Sequence, residues 1–434
     1  MPVIKISEYE NASFAAFDAS ENVALIPMLY YRSYEGTYPD VTYESYDDKG
    51  IKYTSFKQFK EDMGDHYLMV DNEIDKSYIM AYELLLQGMA VVIKPILFDN
   101  AAYDVVDSEG TIIESRTISL ENAYNILEDS IKGGALEEFK DRNLFNIKFI
   151  TSGGYANCGY LFEYDEETPE TEKINLTSYN VLQGLAADRG DAIAFVEFRP
   201  TFKDQKSLLE EVDKATGSLL SVGFVPWCEC TTTISNSMTT TEMPASYCYL
   251  NAYARSVQSN ANWFAGAGVT RGRVPGMVKP LIDIGESLMH ILQGDTDGLQ
   301  NVTINPIFNA GTYGYRVWGN RMLSKNYQDL YMNFLNVRVL LCDIKKQIYH
   351  AAMRVTFEPN DDIVWVNFKT LVNTTLEQMK SGRGISWYKW TREYTDQKAL
   401  IKATLTIKPI EAVESFDINV MLTDEDATVE EAAV

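Results

Sequence analysis

The chain has 434 residues, of which 46% are hydrophobic and 12% aromatic, and carries a formal net charge of −24. That length exceeds one core of ordinary size, so two or more folded domains are expected, and the acidic balance excludes a protein that coats nucleic acid, because neutralising phosphate needs a basic face. No apolar run approaches the roughly 20 residues that span a bilayer, and the opening MPVIKISEYENASFAAFDAS lacks the basic and apolar regions of a signal peptide, so neither membrane insertion nor secretion by its own signal is expected.

In chain order, ENVALIPMLYY is a continuous apolar run of the kind a buried strand needs, punctuated afterwards by Gly36, Pro39 and Asp40. TSFKQFKEDMGD spaces Phe56 and Phe59 as a helix does, and SYIMAYELLLQGMAVVIKPILF reads as a helix stopped at Gly88 and a strand running to Pro95. Helix then strand recurs as AYNILEDSIKGGALEEFKDRN before LFNIKFITSGG, as LTSYNVLQGLAADRGD before AIAFVEFRP, and as KSLLEEVDKATGSLL before SVGFVPW. This alternation predicts an α/β sheet covered by helices. Thr231 to Thr241, rich in Thr, Ser and Asn, reads as an exposed loop or hairpin tip. The register then changes. LYMNFLNVRVLLCDIKKQIYHAAMRV, with Leu335, Val339, Cys342 and Ile348 among its apolar positions, and IVWVNFKTLVNTTLEQMKSGRG, stopping at Gly382, predict two long packed helices. ALIKATLTIKPI and SFDINVMLT alternate with period two and predict closing strands, followed by the acidic tail TDEDATVEEAAV.

Charge is unevenly placed. Residues 311–410 hold 15 Lys and Arg against 8 Asp and Glu, residues 411–434 hold 8 acids and no base, and residues 1–250 hold 19 bases against 42 acids. Such a split points to two faces with different partners. The five cysteines (Cys158, Cys228, Cys230, Cys248 and Cys342) are odd in number and scattered, which fits folding in a reducing cytoplasm rather than a disulfide framework.

Chemical motifs are scarce. The chain has no G-x-x-x-x-G-K-[ST], H-E-x-x-H or G-x-S-x-G, so phosphate cradling, zinc proteolysis and an α/β-hydrolase elbow have no support. Cys228 and Cys230 with Cys248 fall short of four zinc ligands, and His66, His290 and His350 lie too far apart in sequence to propose a dyad. Asp295 and Asp297 within GDTDG read as a turn rather than a cation loop, while Arg271 and Arg273 suit either an anionic partner or a solvated loop. Two further classes stay open: a carbohydrate-active or metal-dependent hydrolase, which needs two carboxylates of divergent acidity in one cleft, and another self-assembling shell or adhesion protein.

The runs SNANWFAGAGVTRGRVPGM, INPIFNAGTYGYRVWGNRML, YMNFLNVRVLLCDIKKQI, VTFEPNDDIVWVNFKTLVNTTLEQMKSGRGI and ATLTIKPIEAVESFDINVML, in that order, resemble the contractile tail sheath family of phages and injection systems. VALIPML, FKQFKEDMG, LLLQGMAVVIKPI and GDAIAFVEFRP extend the likeness upstream. The chain departs from the family at its start, which lacks a proline-glycine-valine-tyrosine opening, and at Val339, where a second arginine is expected. The resemblance implies a multidomain α+β and α/β fold. Its α/β outer domain (25–299), of one or two units, is inserted into an inner, tube-facing domain built from both termini (1–24 and 300–434), with long helices and terminal exchange strands. It further implies a helical homo-oligomer, an inner tube protein, baseplate and terminator as partners, a place in the virion tail after assembly in host cytoplasm, and no enzymatic activity or cofactor. Two sites follow as expectations. Either the strand Ser415, Phe416, Asp417, Ile418, Asn419, Val420, Met421 and Leu422 or the amino-terminal PVIKIS is expected to pair with a neighbour's sheet. Lys369, Lys380 and Arg383, in the basic stretch, are expected to contact the tube, with Val364, Phe368, Leu371 and Val372 forming the buried stripe of the same helix.

Overall fold

A computed structural model describes residues 21–31, 49–63, 69–71, 73–98, 105–106, 112–114, 117–155, 178–198, 200, 204–234, 237–294, 298–300, 302–325, 331–393, 400–410 and 412. The first half follows the expected alternation: β1 (Val23–Tyr31), β2 (Ile51–Tyr53), α1 (Phe56–Met63), α2 (Lys76–Leu86), β3 (Ala90–Phe98), α3 (Leu120–Lys132), β4 (Phe149–Ile150), α4 (Ser178–Arg189), β5 (Ile193–Val196), α5 (Gln205–Val212) and β6 (Ser221–Val225). Local chemistry sets the helix ends. Asp75 caps α2 through the amides of Ser77 and Tyr78, Ser119 caps α3, and Asp204 forms a capping box with Ser207 on α5. Beyond α2 the chain turns at Gly88 with φ 77, a left-handed conformation that glycine enters without steric cost.

Then come β7 (Cys228–Ile234), β8 (Ser237–Met243), α6 (Ala245–Val257), β9 (Met277–Pro280), α7 (Glu286–Gln293), β10 (Asn305–Asn309), β11 (Tyr315–Val317), α8 (Leu335–Val355), α9 (Asp362–Ser381), β12 (Ile385–Glu393) and β13 (Lys402–Pro409). The main sheet runs β11–β10–β6–β5–β4–β1–β3–β2. Its six inner strands are parallel, and the antiparallel β2 and β11 close its edges. Parallel strands buried on both faces need continuous apolar sequence, as β1 has. Ala24, Ile26 and Met28 face α1, α2, α6 and the start of α8, whereas Val23, Leu25 and Leu29 face α3 and α4, with α5 and α7 packed further along that side. Aromatic contacts fix the first of these layers. Phe195 stacks on Phe224 with centroids 6.0 Å apart, Phe224 on Tyr249 at 4.5 Å and Tyr249 on Tyr253 at 5.9 Å, each pair contributing about 0.5–1.5 kcal/mol beyond area burial.

Three features differ from the sequence reading. The Thr-rich tract forms the strands β7 and β8, paired from Cys228↔Met243 to Ile234↔Ser237, with Thr232 and Thr241 buried. Alternation of Thr with apolar Cys and Ile suits a half-buried pair, and composition alone hid that period. Residues 305–317, which the sequence groups with the closing helices, instead extend the main sheet: Phe224↔Asn305 and Val225↔Pro306 pair in parallel. Finally, Lys402–Pro409 pairs with Ile385–Glu393, a strand the sequence reading passed over; residues 415–422 lie outside the described residues.

Candidate assembly interface

The carboxyl end of the parallel sheet is the natural place to look for a ligand. Strand order runs outward from β1 in both directions, and doubly wound sheets bind ligands in the crevice at such a reversal, here between β1 and β4. The chain fills that crevice itself. Gly153 and Gly154, at φ 75 and 81, turn the chain so tightly that a Cβ on Gly153 would overlap the Pro27 carbonyl oxygen. Tyr155 Oη donates to Asp75 Oδ1 at 2.5 Å, and Ser152 and Ser246 donate to the two carboxylate oxygens of Glu197. Burial raises the Asp75 carboxyl above its usual range and pushes Glu197 up to about 7, against the lowering effect of the two serines. Both acids shift the same way and both are enclosed. A hydrolytic pair needs divergent acidities and an open cleft.

The described cysteines are also absorbed by the fold. Cys228, Cys230, Cys248 and Cys342 are buried free thiols, with the Cys230 and Cys248 sulfurs 3.8 Å apart. Among the described residues no group of three or more His, Cys, Asp or Glu can hold a metal ion. His290 lies on α7 and His350 on α8, where it meets Tyr349 edge to face. Arg271 Nε donates to the Ala265 carbonyl and its guanidinium lies over Phe264. His66 and the acids Asp295 and Asp297 lie outside the described residues.

The carboxy-terminal elements form a distinct layer. Along α8, Leu335, Val339 and Cys342 belong to the main core, whereas Leu340, Ile344 and Ala351 pack with Val372, Leu376 and Met379 of α9 and with Ile385. Tyr388, Trp390, Leu405 and Ile407 of the β12–β13 pair cover this second core, and their alternation along each strand gives one inner face. Trp263 joins the layers: its Nε1 donates to the Gly382 carbonyl at 2.9 Å, and a Cβ on Gly384 would sit 2.9 Å from its ring.

The side of α8 toward the body also carries a polar seam. Lys148 Nζ meets Asp343 Oδ1 at 2.5 Å, Lys346 Nζ donates to the Ile147 carbonyl at 2.7 Å, Lys345 Nζ to the Gly190 carbonyl at 2.6 Å and Tyr349 Oη to Asn143 Oδ1 at 2.5 Å. Burial lowers the Lys346 amine to about 8 and raises Asp343, with Lys148 opposing the latter shift. Sequence periodicity misses this seam, because a lysine facing a strand-end carbonyl looks like any surface lysine.

On α9, Val364 and Val372 are buried and Phe368 and Leu371 half-buried, continued by Leu376 and Met379. Lys369 lies with its ammonium 5.4 Å from the Trp365 ring centroid, and Arg392 covers the same ring at 5.7 Å while pairing with Asp362 at 2.7 Å. Lys380 and Arg383 are exposed at the helix's far end, Arg383 in the left-handed region at φ 61. Tyr388 Oη donates to Glu377, and partial burial together with that carboxylate pushes the phenol up to about 12. An apolar groove of about 380 Å³ opens between the end of α8, the start of α9 and β13, lined by Ile348, Val355, Trp365, Phe368, Trp390 and Leu405.

No family model matches the chain. A stretch of 176 residues, 39% of the chain, is 23% identical to the tail sheath protein of Vibrio phage KVP40, and 184 residues, 41% of the chain, are 24% identical to that of Enterobacteria phage T4. The matches span 25% and 27% of those relatives, so the chain corresponds to about a quarter of their length. In fold the likeness covers 97–98% of the chain. The sheath complex of an extracellular contractile injection system, PVC, in its contracted state gives a TM-score of 0.61 at 13% identity over 98% of each chain. The anti-feeding prophage baseplate gives 0.58 at 13% identity over 98% of this chain and 99% of the other, and its contracted helical sheath 0.55 at 12% over 97% and 99%. This chain therefore resembles phage tail sheath proteins in sequence and has the fold of the chains that build contractile sheaths.

Proposed function

We propose that the chain is a structural subunit of a contractile tail sheath, which polymerises around an inner tube and shortens to drive that tube through a target envelope. The observation that carries this reading is the fold shared with contracted sheath assemblies over 97–98% of the chain. The α8–α9 layer with its β12–β13 pair, joined by the chain before β1, forms the inner, tube-facing part of the 300–434 region, and the sheet body, which begins with β1 at Val23 and runs to 299, lies outside, with β10 and β11 completing its sheet. The inner layer offers Lys369, Lys380 and Arg383 to the tube. Among the described residues the β12–β13 pair has no further strand on either edge. An open pair of this kind takes main-chain hydrogen bonds from an added strand, and residues 415–422 of a neighbouring copy fill that role.

Such a lattice has no need of catalysis or a cofactor. Contraction proceeds from a metastable extended assembly whose contracted form buries more interface, and many weak contacts to the tube hold the extended state collectively. Baseplate and terminator proteins bound the polymer at its ends, within a tail assembled in host cytoplasm. Negative-stain microscopy of the purified chain tests the reading: striated hollow cylinders are expected, and closed shells or monodisperse particles overturn it.

A further inference from the structure

The inner layer has two unlike ends. At one end, α8 gives way to a knuckle in which Phe357 stands 90% exposed with φ 72. The turn closed by the Glu358 amide on the Val355 carbonyl holds it in the left-handed region, a conformation uncommon for a bulky side chain. Beside it on α9, Ile363 and Val366 are 69% and 52% exposed, one helical turn apart. Glu358 and Asp361, both exposed, give this apolar cluster an acidic edge, while Asp362 beside them is taken up by its ion pair with Arg392. The 20 residues of α9 separate this knuckle from the opposite end by about 30 Å. There Trp387 is 46% and Ile410 37% exposed, Trp387 lies opposite Lys408 across the strand pair, and the Ile410 amide bonds the Gly384 carbonyl where α9 ends. One end is apolar and acidic, the other apolar and basic.

We propose that the Phe357–Val366 knuckle of one copy docks on the Trp387, Lys408 and Ile410 end of the same layer in a second copy. This inference rests on the reading that the chain polymerises, and it names one contact that links successive copies. A second copy is the occupant because the chain itself supplies both halves, opposite in charge and each carrying exposed apolar side chains. A contact between two different patches is heterologous, so it repeats head to tail and generates a ring or a helix rather than a closed dimer. The apolar residues supply affinity, and Glu358 and Lys408 set the direction.

The test uses the full chain and the protein concentration at which cylinders pellet. Glu358→Lys alone and Lys408→Glu alone each place like charges across the contact, and each is expected to raise that concentration about tenfold. The chain carrying both is expected to return to wild-type assembly, since the two positions, at opposite ends of the layer, meet only between copies. Phe357→Gly is expected to melt at a higher temperature as the unassembled subunit, by removing the left-handed phenylalanine, and yet to assemble less readily. Wild-type cylinders with single variants that assemble unchanged, or a double variant that is not restored, overturn the contact. A wild-type chain that stays monodisperse at every concentration overturns the sheath reading and this contact with it.

Discussion

Lys148, just before β4, and Asp343, on α8, are far apart in sequence and meet as an ion pair of 2.5 Å in which the side chains are 0% and 2% exposed. Asn22 accepts a further hydrogen bond from the Lys148 ammonium at 2.9 Å, and Asn262 reaches the second Asp343 oxygen at 3.5 Å. The pair sits where the α8 layer meets the sheet body. Asp343→Ala leaves a buried ammonium without its counter-charge and is expected to destabilise the unassembled subunit by about 3–5 kcal/mol, whereas Lys148→Met with Asp343→Leu is expected to recover most of that loss. Urea unfolding of the three chains measures both effects.

Glu197 makes stability depend on pH in a defined direction. Its carboxyl titrates at about 7 in the folded chain and near 4.5 when unfolded, so between those values the folded state holds more protons. Stability from this group is therefore full below about pH 4.5 and falls as pH rises toward 7, by about 3 kcal/mol in all. Glu197→Gln keeps a carbonyl for one serine and an amide for the other but cannot ionise. Its melting temperature, set against wild type from pH 4.5 to 8, is expected to gain steadily up to about pH 7 and then run parallel. A constant difference across that range would show that Glu197 does not titrate there.

The tube contact is expected to be collective. An exposed ion pair contributes only ~0–1 kcal/mol, so single substitutions of Lys369, Lys380 or Arg383 are expected to leave assembly near wild type. The triple change to glutamate is expected to abolish tube-templated extended sheath in moderate salt, with tube-free polymerisation retained. Lys369→Glu also strips a cation from the Trp365 face, so its melting temperature is the control for lost packing.

Removing residues 413–434 is expected to give a folded monomer that no longer polymerises, because the open β12–β13 pair then has no strand to receive from a neighbour. Circular dichroism and sedimentation separate the two properties. Normal cylinders from the truncated chain would remove the exchange strand from the account.

Gly384→Ala probes the joint between layers. The added Cβ would lie 2.9 Å from the Trp263 ring, whose Nε1 is already held by the Gly382 carbonyl. Displacing the ring is expected to cost about 1–3 kcal/mol and to loosen β12 first. Hydrogen exchange of the β12 and β13 amides, faster in the variant than in wild type while the main sheet is unchanged, is the expected signature.

Much of the fold was written locally. The helix-strand rhythm from β1 to β6 rests on apolar period and on caps such as Asp75, Ser119 and Asp204, all of which act within a few residues, so the sequence by itself determined which elements form there. The same holds for α8 and α9, down to the stop at Gly382. Their apolar positions did not say which core each would join. Leu335, Val339 and Cys342 look alike in sequence to Leu340 and Ile344, yet the first set packs on the sheet body and the second on α9. That division depends on the angle at which α8 crosses the body, which no local signal encodes. Only the tertiary structure paired Ile385–Glu393 with Lys402–Pro409, joined Lys148 to Asp343, and set Phe357 and Trp387 at opposite ends of one layer. Strand partners and buried charges are chosen by long-range packing, where the cost of an unpaired group is paid only once the chain has closed around it.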